Sequence, residues 1–298
     1  METSYSKNTS SYYNENREIL KYYEHMWGLS NLEVLDDTHS SCVLKGTSDL
    51  YGQIILKKRN DVKVIRDEYK TLVEYNGNHF CKAYEADVES GVLLEEQIIP
   101  GTVLKDINSL DKRLEIFCNL FQRLHKAYSG TYKYPTYLDW VSRISNYMSK
   151  LEGYDVLASH MKNAEIICKD LFNAYPPNML LHGDLHHYNI LLNSRGTYTI
   201  IDPKGILGHP IFDIPRFILN ELEDNITPAL YDKINYCIKV IHQQLRIPVE
   251  IIQKCFYIEA TMAECWNVED SGTGNLGYVL FAEKILKNEF FITENTTK

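Results

Sequence analysis

The sequence predicts an α+β chain in two lobes, a small strand-rich one followed by a larger helical one. Three observations carry that reading. Short apolar runs set between turn residues fill the first third of the 298 residues. From Pro100 onward, apolar residues recur mostly at helical spacing. Two strand-like runs, 178–181 and 198–201, interrupt that helical part and carry polar residues at their ends.

Taken in order, Ile19, Leu20, Tyr23 and Trp27 share one face of a helix over 16–26 that closes near Gly28. Residues 1–14, rich in Ser, Thr, Asn and Tyr, are expected to fray. Segments 32–35, 41–44 and 53–56 read as strands. A helix over 62–75 ends at Asn76-Gly77, and strands follow near 82–84 and 92–94. Ile99-Pro100-Gly101 ends this lobe, which places the boundary between 1–97 and 98–298, with a hinge near 96–101. Later helices are expected over 110–128, 137–151 and 158–174, then over 213–224, 230–246, 249–266 and 275–290.

The net charge of −9 disfavours nucleic-acid binding, which rewards Lys and Arg. It suits a cationic small molecule, and equally serves solubility. The start of the chain lacks the pattern of a signal peptide, and no apolar run reaches the roughly 20 residues a membrane span needs. A cytoplasmic protein without membrane contact is therefore expected. The seven cysteines form no C-x-x-C pair and no zinc spacing, so they are expected to be buried and reduced. Composition leaves the oligomeric state open.

The most informative stretch is Leu181-His182-Gly183-Asp184-Leu185-His186-His187-Tyr188-Asn189, followed by Ile200-Ile201-Asp202-Pro203-Lys204-Gly205. Phosphoryl transfer requires neutralised charge on a triphosphate and an acceptor oxygen held in line. Asp184 reads as the catalytic base that orients an acceptor hydroxyl. Asn189 and Asp202 read as magnesium ligands, because a hard cation prefers oxygen donors. A strand-rich lobe, a hinge and a helical lobe bearing this loop make a bilobal protein-kinase-like architecture, with a nucleotide expected between the lobes. Lys57, at the end of a strand-like run, stands where such folds carry the lysine for the α- and β-phosphates, and Glu68 is its expected helix partner. Lys58 competes, and strand alternation alone does not choose between them. Glu96 and Ile98 are the backbone positions expected to meet adenine. His186 and Lys204 are candidates for the γ-phosphate, and His182 for scaffolding the loop. Gly183 stands where protein kinases carry an Arg that reads phosphorylation, and no Ser or Thr lies between Asp202 and Asp213. A small-molecule kinase without a phosphorylation switch is expected.

These motifs resemble the aminoglycoside phosphotransferase family, in its streptomycin and hydroxyurea kinase branch. The likeness lies in His-Gly-Asp-Leu-His-His-x-Asn and Ile-Asp-Pro-Lys-Gly, at residues 182–189 and 201–205. The resemblance implies an ATP-dependent O-phosphotransferase, with GTP as the other possible donor and Mg2+ as cofactor. It implies resistance to a cationic antibiotic, streptomycin first. It also favours Lys57 over Lys58, and Glu68 over Asp67. It implies a Ser-containing turn at Ser40 and Ser41 in place of a glycine-rich loop, a bracing role for Asp213, and substrate-binding acids near the C-terminus. Glu264, Trp266, Glu269 and Asp270 are the candidates there, beside Asp184 itself. The rival readings are a kinase of the same fold for another small molecule, such as hydroxyurea, another antibiotic or a metabolic alcohol, and a non-catalytic nucleotide-binding protein.

Overall fold

A computed structural model describes residues 11–289. The chain divides into two compact units. The first runs to Thr102 and takes in the separate segment Leu191–Ile201; the second comprises Val103–Ile190 and the chain from Asp202.

The first unit begins with two helices, α1 (Tyr12–Glu15) and α2 (Arg17–Met26). The fraying expected at the start of the chain falls partly on residues 1–10, outside the described residues. From Ser11 the chain is ordered by local chemistry: the Ser11 hydroxyl caps α1 by accepting the Asn14 N–H, and buried Tyr12 donates to Asn60. Next come β1 (Leu29–Asp37), β2 (Ser41–Ser48), β3 (Gly52–Arg59), α3 (Val62–Tyr75), β4 (Ala83–Asp87) and β5 (Val92–Glu96). They form an antiparallel sheet in the order β1-β2-β3-β5-β4. Leu44, Ile54, Leu56, Val92 and Leu94 fill its core against Leu20 and Tyr23 of α2. Burial of a side chain of this size contributes about 1.5–3 kcal/mol. Asp61 caps the start of α3, and left-handed Asn76 ends it.

A second sheet has the order β10-β9-β6, from β6 (Pro100–Val103), β9 (Ile190–Asn193) and β10 (Tyr198–Ile200). The sequence reading placed everything beyond residue 97 in the helical lobe. Pairing with β6 draws the β9–β10 hairpin into the first unit instead. The hairpin is stitched further by bonds from Cys81 N–H to the Ile200 carbonyl and from Ile200 N–H to the His79 carbonyl.

The second unit contains α4 (Leu110–Leu124), β7 (Lys126–Ala127), α5 (Tyr137–Met148), α6 (Asp155–Ala174) and β8 (Met179–Leu181). It continues with β11 (Ile206–Gly208), α7 (Ile214–Leu219), α8 (Pro228–Leu245), α9 (Val249–Ser271) and α10 (Leu276–Lys287). Helix α9 is its centre. Its buried residues lie on every face, and α5, α6, α7, α8 and α10 pack around it. Helix α4 stops earlier than its periodicity suggested, because Lys126 and Ala127 pair with β8. The helix expected over 213–224 is helical only through α7, preceded by a 3-10 turn at Pro210–Asp213. Strand β8 lies between β11 and β7, and its Leu180 and Leu181 are fully buried. The loop at 182–189 therefore leaves a fixed strand, and the loop at 202–205 enters one. Among the described residues, no helix is long and apolar enough to cross a membrane.

Candidate active site

Asp184 sits in a loop whose backbone is held at several points. The Asp213 carboxylate accepts the N–H groups of His182 and Gly183 at 2.9 and 2.8 Å, and pairs with His125 Nε2 at 2.9 Å. Asp213 is buried; burial alone would raise its pKa, but the His125 bond, the charges of the neighbouring His125 and His182 and the Gly183 N–H together hold it down. The His182 ring accepts the Asp184 N–H through Nδ1, and the His182 carbonyl accepts the Lys204 N–H, which ties the 202–205 loop to this one. Gly183 has φ +81°, and a Cβ there would lie 3.1 Å from the Trp140 ring, so a side chain would be both strained and crowded.

Asn189 lies in the 3-10 turn His187–Asn189. Its Nδ2 donates to the Asp184 carbonyl at 2.9 Å, which leaves Oδ1 as the end available to a cation. The turn is anchored from below by Glu221, which accepts from His187 Nε2 at 2.7 Å and forms a two-pronged pair with Arg113 at 2.7 and 2.6 Å. Burial pushes the Glu221 carboxyl up, but His187 and Arg113 hold it well below the usual range. Asp202 adopts φ +57°, a left-handed backbone that an Asp tolerates and that clusters at functional positions.

The Asp184 side chain is ringed by basic groups. Arg216 Nε lies 3.1 Å from Oδ1, while His186 Nε2 and Lys204 Nζ lie 3.6 and 3.8 Å from Oδ2. Burial raises the pKa of this carboxyl, but the His186 bond and the charges of Arg216 and Lys204 hold it well below the usual carboxylate range. Arg216 Nη2 reaches Glu259 Oε1 at 3.0 Å, and Glu259 Oε2 accepts the Tyr137 hydroxyl at 2.6 Å. The guanidinium also lies over the Trp266 ring, 5.6 Å from its centroid.

In the first unit, Lys57 is buried between two carboxylates, Glu68 at 2.6 Å and Glu95 at 2.7 Å. Lys58 is directed elsewhere: its Nζ bonds the Tyr12 hydroxyl and the Arg59 carbonyl. Asp67 pairs with Lys63. The Ser-containing turn at Ser40 and Ser41 closes on itself. Both N–H groups and the Ser41 hydroxyl are spent on Thr38 Oγ1, because a three-residue turn closes on its own side chain. At Glu96 the N–H is taken by the Lys82 carbonyl, so only its own carbonyl remains for a base, whereas Ile98 N–H makes no backbone bond among the described residues. Glu96 and Ile98 line a cavity of about 460 Å³ with Tyr51, Gln53, Lys82 and Arg195; Lys57 is not among its lining residues.

The C-terminal acids read as substrate ligands are mostly engaged within the protein. Glu264 is buried and accepts from Asn267 Nδ2 and the Asn275 N–H, fixing the turn before α10. Both oxygens of Glu269 pair with Arg143, at 2.7 and 2.8 Å. Asp270 is exposed, and Trp266 packs edge-on against Trp140. On a helix, residues two apart point in nearly opposite directions, so Glu264 and Trp266 do not share a face of α9.

A family model described as "Aminoglycoside/hydroxyurea antibiotic resistance kinase" matches residues 26–271. The chain belongs to this family. Streptomycin 6-kinase of Streptomyces griseus is 25% identical to this family member over 147 residues, 47% of this chain and 46% of the relative. The match thus spans about half the length of that relative. Streptomycin 3''-kinase of Klebsiella pneumoniae is 27% identical over 205 residues, 65% of this chain and 70% of its own. Among solved structures, choline kinase LicA from Streptococcus pneumoniae superposes with a TM-score of 0.66 at 16% identity, covering 92% of this chain and 99% of that one. LicA has also been solved in complex with AMP. At that identity the likeness shows the fold, an α+β protein-kinase-like one with two lobes. Three residues of this antibiotic-kinase family member were not singled out from sequence: Arg216, Glu95 and Tyr137. The spacing of Glu259 and Trp266, seven apart on α9, was the available signal that they share a face.

Proposed function

We propose that this protein is an ATP-dependent O-phosphotransferase that phosphorylates a hydroxyl of a small molecule, with streptomycin as the first candidate acceptor. The observation that carries this reading is the fixed position of Asp184, ionised and braced through His182 and Asp213, with Asn189 tied to its carbonyl. Asp184 Oδ2 would accept a hydrogen bond from the acceptor hydroxyl and orient it. A carboxylate held this far below its usual pKa is a weak base, so it takes the proton late, as the acceptor oxygen bonds to the γ-phosphorus and the bond to the leaving ADP breaks. The donor set of Asn189 Oδ1 and the Asp202 carboxylate fits a hard divalent cation. Magnesium held there would neutralise charge on the triphosphate. Lys57, paired with Glu68 and Glu95, is the candidate contact for the α- and β-phosphates. His186 and Lys204 are candidates for the γ-phosphate, and the carbonyl of Glu96 and N–H of Ile98 for adenine.

The net charge of −9, the Trp266 ring and the names of both relatives support a cationic antibiotic. The internal pairing of Glu264 and Glu269 supports a second reading, an acceptor with fewer charges such as hydroxyurea or a small alcohol. Incubation with ATP and magnesium, followed by mass spectrometry of each acceptor, separates the two. Gain of one phosphoryl group on streptomycin supports the first. The same gain on hydroxyurea or an alcohol alone moves the substrate to the second, and no gain on any acceptor argues against phosphotransfer to this class.

A further inference from the structure

We propose that Arg216 and Glu259 are positioning residues for the transfer: a charged pair that sets the orientation of the Asp184 carboxylate from behind. The inference rests on the phosphotransferase reading above.

The argument begins with α7. This six-residue helix and the turn before it contact the Asp184 loop three times. Asp213 holds the loop backbone, Phe217 stacks on His187 with ring centroids 4.1 Å apart, and Arg216 lies against the Asp184 side chain. One element thus holds both the main chain and the functional side chain of the loop.

The contacts of Arg216 form a series. Tyr137 donates to Glu259 at 2.6 Å, Glu259 meets Arg216 Nη2 at 3.0 Å, and Arg216 Nε lies 3.1 Å from Asp184 Oδ1. Trp266 covers the guanidinium. A guanidinium serving stability alone favours a two-pronged pair with one carboxylate, as Arg113 makes with Glu221. Arg216 instead divides its fork between two acids. Its buried Nε–H is within ion-pair distance of Asp184 but has no acceptor in line. Catalytic hydrogen bonds are often poorly aligned before the reactants arrive and tighten only afterwards. A modest rotation of the Asp184 carboxylate would complete this one and present Oδ2 to the acceptor hydroxyl. Glu259 and Tyr137 hold the guanidinium so that the carboxylate, and not the arginine, makes the adjustment. An error of about 1 Å in such a group costs on the order of 10²-fold in rate.

The test is a double-mutant cycle with a kcat-against-KM readout, using the full chain and the acceptor that the wild type turns over. Arg216→Met is expected to lower kcat about 10²-fold while KM for ATP stays within about threefold. In an Asp184→Asn background the same change should cost less than about threefold, because the group it positions is already disabled. Guanidinium ion should restore part of the lost rate to Arg216→Ala. Losses that add fully across the cycle, or an Arg216→Met kcat within about threefold of wild type, overturn the proposal. Should Arg216→Met fail to fold, Arg216→Lys and Glu259→Gln decide: a kcat loss of about tenfold or more in both supports it, and wild-type kcat in both overturns it. Absence of turnover in the wild type removes the phosphotransferase reading and this proposal with it; wild-type turnover indifferent to Arg216 removes only the latter.

Discussion

A carboxylate that orients a hydroxyl must stay ionised and must not rotate freely. Asp184 meets the first condition through Arg216, His186 and Lys204, and its loop is held by His182 and Asp213. The roles proposed for Asp184, Asn189 and Asp202 could be read from the sequence because all three lie in one short stretch, where the order of residue types suggests them. Arg216 and Glu259 are illegible because they reach Asp184 only through the packing of α7 on α9, which no local pattern encodes. The same limit applies to Lys57: the strand pattern left Lys57 and Lys58 equal, and it is the packing that distinguishes them, with Lys57 between Glu68 and Glu95 and Lys58 on the Tyr12 hydroxyl. A prediction follows at this scale. Lys58→Met should leave KM for ATP unchanged, whereas Lys57→Met should raise it by about tenfold or more. Lys57→Met should also destabilise the protein by about 3–5 kcal/mol, since Glu68 and Glu95 stay buried without their cation. Steady-state kinetics and thermal unfolding of the two variants check both halves; equal effects on KM would remove Lys57 from the nucleotide site.

At the scale of elements, long amphipathic helices were readable and the shortest strands only in part. Helices α3, α5 and α8 begin within two residues of their expected starts, because a 3.6-residue repeat sustained over several turns is a strong signal. Strands β7 and β11, of two and three residues, are too short for a period of two to register, whereas the equally short β8 and β10 were visible as the apolar runs 178–181 and 198–201. Capping is visible where a side chain announces it, as at Thr136, which forms a capping box with Asp139 at the start of α5. Helices α5 and α6 are joined by Glu165, which is buried beneath Ser142 and Ser145 and paired with Lys162 and Lys169. Burial raises this carboxyl, but the bonds from Lys169, Lys162 and the two serines bring it down to about 2, from an ordinary 4.5. The folded state therefore releases this proton more readily than the unfolded chain does. Its stabilisation is present above about pH 4.5 and disappears as the pH falls toward 2. Glu165→Gln should cost about 1–2 kcal/mol at pH 7, a figure discounted because both lysines are partly exposed. Urea unfolding at several pH values should show the gap from wild type narrowing below about pH 4.5; a gap independent of pH would contradict the assignment.

For the whole molecule, composition indicated a globular chain with a net charge of −9, and the membership of each unit follows from where the strands pair. The seven cysteines are all buried and unbridged, as their irregular spacing implied. Burial pushes the thiols of Cys118, Cys168, Cys237 and Cys265 up to about 12. A thiol reagent should therefore label none of the seven in the native protein and all seven after denaturation, counted by mass spectrometry; rapid labelling of the native protein would contradict the packing described. The central claim is that Asp184 directs phosphoryl transfer to an acceptor hydroxyl. It is tested most directly by magnesium-dependent ADP release with and without acceptor, comparing the wild type with Asp184→Asn. The account predicts release that rises with acceptor concentration and falls about 10³-fold in the variant, with thermal unfolding little changed. Release that is indifferent to the acceptor, or undiminished in Asp184→Asn, would contradict it.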